Sequence, residues 1–275
     1  MPVEEARKVN DREAVVMFGP VEPVFNVEDV EIADGLRARI YRPGPDANLP
    51  ILVYFHGGGW VVGSLDSHDG VARFLCRFGP CIVISVAYRL APEHMFPAAL
   101  EDAWLSTNWA VRRAVDAGWD ATRLAVGGDS SGGNLAAVVA RRARDRGLPV
   151  KLQLLVYPAL DLAAPVRDPL DEHGYWLEKY LGPNGDPKQP DVSPLRAADL
   201  RGVAPAMILS CGLDPLREQA DAYVQRLHKA GVAAEHRVFE GLIHGAFRMP
   251  AVLGGARDML ATGAAALGRA FNLSR

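Results

Sequence analysis

The chain has 275 residues, 49% hydrophobic and 23% charged, with 30 basic and 33 acidic side chains and a formal net charge of −3. That balance supplies apolar material for a sizeable core and gives no electrostatic reason to expect nucleic acid as a partner. No apolar run approaches the roughly 18–20 residues of a membrane span, and the charged N-terminus has no signal-peptide core, so a cytoplasmic protein is expected.

Residues 3–18 predict an amphipathic helix with Val9, Ala14, Val15 and Phe18 as its apolar contacts. Runs 24–32 and 36–41 flank Asp34-Gly35, a two-residue hairpin signal. Ile51–Phe55 is too continuously apolar for a half-exposed strand and predicts one buried on both faces. Further short strands are expected at 81–87, 123–128, 152–157, 206–211 and 235–239. Helices are expected at 70–78, 98–117, 132–146, 216–230 and 256–271. Strands alternating with helices of this length imply crossover connections and a mostly parallel sheet of about eight strands, with helices on both faces and the hairpin as an antiparallel edge.

Residues 162–200 break that rhythm. They hold Pro165, Pro169, Pro183, Pro187, Pro190 and Pro194, with one short helical candidate at 175–181. A long irregular segment inside a compact fold predicts a lid or binding loop, so one domain spanning 1–275 with a small cap is expected. Cys76, Cys81 and Cys211 lie in or beside apolar runs without CxxC spacing, which predicts buried free thiols.

The central motif is Gly128-Asp129-Ser130-Ser131-Gly132, a G-x-S-x-G placed between an apolar strand and a helix. Such a turn exposes a serine at the strand's end, lets neighbouring backbone pass its glycines, and aims helix N–H groups at developing negative charge. A serine hydroxyl needs a general base, and the base needs an orienting acid; in such folds both follow the serine, acid first. Asp214 stands just beyond strand 206–211, and His244 lies between the last strand and last helix, so a Ser130–His244–Asp214 triad is expected. Asp161 is the second candidate for the acid; His228 and His236 are expected to be surface histidines. Three glycines follow His56 at the end of strand 51–55, and their backbone can present an oxyanion hole: Gly58, Gly59 and the N–H of Ser131 are the expected donors, with His56 bracing the loop.

Taken together, His56-Gly57-Gly58-Gly59-Trp60, Tyr88-Arg89-Leu90-Ala91-Pro92-Glu93-His94 with Phe96-Pro97-Ala98-Ala99, Gly128–Leu135, Asp214-Pro215-Leu216-Arg217 and His244-Gly245 resemble the bacterial hormone-sensitive-lipase-like esterases, a branch of the α/β-hydrolase fold. The resemblance implies a serine carboxylesterase for short- to medium-chain esters, with a small-molecule substrate and no metal or organic cofactor. It also implies a cap made from an N-terminal helix and an insertion after the sixth core strand, here about residues 1–24 and 162–200. Relatives are often dimers, and the final edge strand would be the contact. Two departures stand out: the cap insertion is short, and Ala246 separates Gly245 from Phe247 where the family reads HGF.

Phe18, Trp60, Tyr175, Trp176 and Leu213 are the expected substrate-binding residues, with Met17 and Met249 as further candidates. An amide hydrolase of the aryl formamidase kind is a rival reading on the same triad. A noncatalytic small-molecule receptor on the same scaffold is another.

Overall fold

The computed structural model describes residues 1–166 and 172–273. Residues 167–171 of the proline-rich segment, Pro169 among them, lie outside the described residues. The strands are β1 (Asn26–Ala33), β2 (Leu36–Arg42), β3 (Ile51–Phe55), β4 (Ile82–Ala87), β5 (Leu124–Asp129), β6 (Val150–Val156), β7 (Ala206–Cys211) and β8 (Ala234–Phe239). The helices are α1 (Val3–Phe18), α2 (Asp69–Phe78), α3 (Ala98–Ala117), α4 (Ser131–Asp145), α5 (Glu172–Leu181), α6 (Arg217–Lys229) and α7 (Ala256–Ala270).

One sheet runs in the order β1-β2-β4-β3-β5-β6-β7-β8. Strand β2 is antiparallel to both β1 and β4, and the other neighbouring pairs are parallel. The hairpin through Asp34-Gly35 thus forms the antiparallel edge, while the apolar runs form the parallel centre. Because side chains alternate across a strand, the five buried residues of β3 feed two cores. Ile51, Val53 and Phe55 pack in a layer with apolar residues of α3, α4 and α6. Leu52 and Tyr54 face the opposite layer, shared with α2 and α7. Burial on both faces is why these strands read as continuous apolar runs.

Helix α4 lies against the sheet centre, and every residue from Ser131 to Ala140 is buried. Small side chains permit that close approach. Helix α1 differs from its expected contact pattern. Ala14 and Phe18 are buried at i, i+4 spacing, whereas Val15 is 63% exposed. One residue advances a helix by about 100°, which turns Val15 off the face that Ala14 occupies.

The long connection between β6 and β7 is fastened by α4. Asn134 Nδ2 donates to the carbonyls of Ala159 (2.7 Å) and Val192 (2.8 Å), and Arg142 pairs with Asp191 at 2.8 Å. Ser193 Oγ accepts the Leu162 N–H and donates to the Pro187 carbonyl. Irregular backbone near the core needs such partners, since it has no ladder of its own. The three cysteines are free and buried, and burial pushes the Cys76 and Cys211 thiols up to about 12. No helix among the described residues is long and apolar enough to cross a membrane.

Candidate active site

Strand β5 ends at Asp129 and α4 begins at Ser131, leaving Ser130 alone on the turn with φ 55° and ψ −117°. A non-glycine residue held there is strained, by about 1–3 kcal/mol, and persists only where its surroundings fix it. They do so here: Ser130 N–H donates to Val156 O at 2.9 Å, and Ser130 O accepts from Asn134 N–H at 3.1 Å. The turn also needs a glycine two residues on, because a Cβ at position 132 would lie 1.9 Å from the Phe55 carbonyl oxygen.

Two loops at the carboxyl ends of β7 and β8 meet this turn, tied together by the Leu213 N–H donating to Leu242 O at 3.0 Å. His244 Nε2 lies 2.8 Å from Ser130 Oγ, and His244 Nδ1 lies 2.8 Å from Asp214 Oδ2. The Asp214 side chain is 1% exposed, and its second oxygen accepts the Leu216 N–H at 2.8 Å. With Nδ1–H donating to the carboxylate, Nε2 is free to accept the serine proton. Asp161 is engaged elsewhere, by Arg196 Nε at 2.6 Å and the Ala163 N–H at 3.1 Å. His228 is exposed and bonds to Ala234 O, while the partly buried His236 bonds to Ser210 Oγ; neither approaches Ser130. Ala246 does not displace His244: Ala246–Arg248 forms a short 3-10 turn in which Phe247 is fully buried against α7.

The loop after β3 supplies the other wall. Gly58 has φ +122°, and a Cβ there would come within 2.2 Å of Val62 O, the residue whose N–H donates back to Gly58 O at 2.9 Å. Trp60, also at positive φ (60°), is stacked on Tyr180 with ring centroids 4.1 Å apart. The N–H groups of Gly58, Gly59 and Ser131 donate to no acceptor among the described residues, and all three residues line one cavity. His56 braces the loop as expected: its ring stacks on Tyr88 at 4.3 Å, and Tyr88 Oη donates to His56 O at 2.7 Å. Burial keeps the His56 imidazole neutral, its pKa pushed down to about 3.

A buried polar cluster beneath the turn was not predicted. Asp129 Oδ1 accepts from Tyr54 Oη at 2.7 Å and from the Gly57 N–H at 3.0 Å, and the carboxylate lies 3.2 Å from His68 Nε2. Burial works against its ionisation, but the His68 ring, the Arg248 guanidinium and the Tyr54 hydroxyl outweigh that and hold the carboxyl below the usual carboxylate range. Burial pushes the His68 imidazole down. Asp129 therefore ties the serine turn to the glycine loop through Gly57. Asp129 stands inside the recognised motif, which was the available signal; Tyr54 and His68 lie in an apolar strand and ahead of a helix, with no pattern to connect them.

Above Ser130 lies a cavity of about 510 Å³. Of the expected pocket residues, Trp60, Trp176 and Leu213 line it. Phe18 does not: its ring is spent on packing against α2, where a Cβ at Gly70 would come within 2.4 Å of it. Tyr175 does not either. It sits on the outer face of α5, 38% exposed, with Lys179 over its ring, because α5 presents the adjacent Trp176 inward against Gly59. Met17 and Met249 also lie outside the lining. Asn10, Val62, Tyr157, Leu216, Ile243 and Arg248 line the cavity without having been predicted. Among the described residues no group of three or more His, Cys, Asp or Glu side chains is arranged to hold a metal ion.

A sheet of this order, with a serine turn after β5 and a histidine loop after β8, defines a class that comparison with known proteins makes explicit. A family model described as the alpha/beta hydrolase fold matches residues 52–248, and the chain belongs to that family. Several of its relatives carry the names of esterases or carboxylic ester hydrolases. The carboxylic ester hydrolase LipN of Mycobacterium tuberculosis is 43% identical over 240 residues, 80% of this chain and 64% of LipN, so the chain spans less than two thirds of that relative's length. The carboxylesterase NlhH of the same organism is 38% identical over 269 residues, 91% of this chain and 84% of NlhH. Among solved structures, an esterase of Pyrobaculum calidifontis superposes with a TM-score of 0.92 at 38% identity, covering 98% of this chain and 93% of the other.

Proposed function

We propose that the protein is a serine carboxylesterase hydrolysing esters of short- to medium-chain acids through an acyl-enzyme on Ser130. The observation that carries this is the hydrogen-bonded line from Ser130 Oγ through His244 to Asp214, 2.8 Å at each step, beside three amide N–H groups with no described protein acceptor. Ser130 Oγ attacks the ester carbonyl carbon as His244 Nε2 takes its proton. Asp214 holds the ring orientation and stabilises the imidazolium. The amides of Gly58, Gly59 and Ser131 receive the oxyanion of the tetrahedral intermediate. His244 then protonates the leaving alcohol oxygen, and water repeats the sequence to release the acid and restore the serine.

Helix α1 and segment 162–200 act as a reduced cap over a single catalytic domain. The cavity of about 510 Å³ between them and the triad supports small acyl groups. The free buried thiols suit a cytoplasmic location. A homodimer would pair through β8, the edge strand of the parallel side of the sheet. Hydrolysis of p-nitrophenyl esters from acetate to palmitate, with Ser130→Ala alongside, tests the reading. A serine-dependent optimum at acetate to octanoate is expected. Absence of serine-dependent turnover, or faster turnover of matched anilides, would overturn it.

A further inference from the structure

The cavity above Ser130 has a charge that hydrolysis of a plain ester does not use. Its lining contains two side chains of fixed charge, Asp129 and Arg248. The Asp129 carboxylate is taken up by Tyr54, Gly57 and His68 and is 3% exposed. Arg248 is different. It has no carboxylate within 4.0 Å among the described residues, whereas Arg7, Arg39, Arg89, Arg142 and Arg196 are each ion-paired. One of its N–H groups donates to Asn10 Oδ1 at 3.1 Å, and Asn10 lines the same cavity. The rest of the fork donates to no described residue. Asp11 is the nearby acid on α1, and it is held by Asn10 Nδ2 at 3.2 Å rather than by Arg248.

A guanidinium in a half-enclosed site binds a carboxylate through two parallel N–H bonds, and the low dielectric strengthens them. Asn10 fixes one edge of the fork and leaves another to face the cavity. Much of the remaining lining, including Ala159, Val166, Leu177 and Leu216, is apolar and suits an uncharged branch.

We propose that Arg248, oriented by Asn10, is a specificity residue that selects esters carrying a carboxylate on one branch, such as hemiesters of dicarboxylic acids. The inference rests on the esterase reading and deepens it. A purely structural arginine, balancing Asp129 through space, would affect charged and neutral substrates alike.

The test compares kcat/KM for matched anionic and neutral esters at low salt. Monoethyl succinate against ethyl butyrate places the charge on the acyl branch; O-acetylglycolate against propyl acetate places it on the alcohol branch. On one of the two arms, Arg248→Gln is expected to lower the anionic-to-neutral ratio about 10–100-fold, the worth of a lost charge-assisted pair. Arg248→Lys is expected to restore part of it. An unchanged ratio on both arms overturns the proposal. Should Arg248→Gln fail to fold, the wild type decides: raising salt to about 1 M should reduce the ratio several-fold on the selected arm, and a flat ratio on both arms overturns it. Absence of Ser130-dependent turnover of the neutral esters would instead overturn the esterase reading itself.

Discussion

Below Ser130 the polar groups are buried and mutually satisfied, with Asp129 bound at once to Tyr54, Gly57 and His68. Above it, the cavity wall is assembled from α1, α5 and loop residues, and several of its members are open to solvent: Leu213 is 66% exposed and Ile243 45%. The floor is carried mainly by the ends of β3 and β5, locked in the sheet, whereas the rim is built on α1, α5 and loop residues. A floor of this kind fixes the geometry of the reacting atoms, and sub-ångström placement is worth orders of magnitude in rate. A rim of this kind selects among substrates and tolerates change. Chemistry and selectivity should therefore respond to mutation on different scales.

The largest effect is expected from breaking the floor at the triad. Asp214→Asn should lower kcat by about 10⁴-fold on p-nitrophenyl acetate, since the imidazole would lose the tautomer that accepts the serine proton. Asp161→Asn, by contrast, should leave turnover within a few-fold of wild type. Next, Asp129→Asn should cost about 10–100-fold in kcat with little change in KM. It loosens the glycine loop through Gly57 without touching substrate, and outright loss of one oxyanion donor costs about 10²–10³-fold. An equal fall for Asp129→Asn in kcat and in substrate affinity would show that the floor also binds.

The histidine that braces the glycine loop carries a pH signature. His56 is buried neutral with its pKa pushed down to about 3, so below the unfolded value of about 6.5 the unfolded chain binds the extra proton. Stability should fall as pH drops from about 6.5 towards 3, by about 1.4 kcal/mol per pH unit for this residue. Chemical denaturation of wild type and His56→Gln across that range checks the sign: the variant should show the shallower slope. The smallest effect is expected at the rim. Trp176→Ala should raise KM about 3–10-fold and move the acyl-length optimum by a few carbons while sparing kcat. A large fall in kcat would mean that α5 also supports the oxyanion loop through Gly59.

The fold was legible because its centre obeys a simple rule. Continuous apolar runs such as Ile51–Phe55 alternate with helical stretches, and strands buried on both faces have no other way to be covered. The positions of Ser130, Asp214 and His244 were legible for a related reason. Each sits at the carboxyl end of a strand, in a turn whose local chemistry marks it. Other features depend on chain segments that meet only in three dimensions. The direction in which α5 presents Trp176 rather than Tyr175 depends on where Gly59 lies. That Phe18 packs against α2 instead of lining the cavity depends on the gap at Gly70. The bonds from Tyr54 and His68 to Asp129 join residues 75 and 61 positions apart with no periodicity between them. Local pattern determined the strands, the serine turn and the placing of Asp214 and His244 in the loops after β7 and β8, because those are encoded in adjacent residues. Packing alone decided which side chains line the cavity, where the Arg248 charge faces and how the floor is wired, because close contact between distant segments leaves no mark on either one alone.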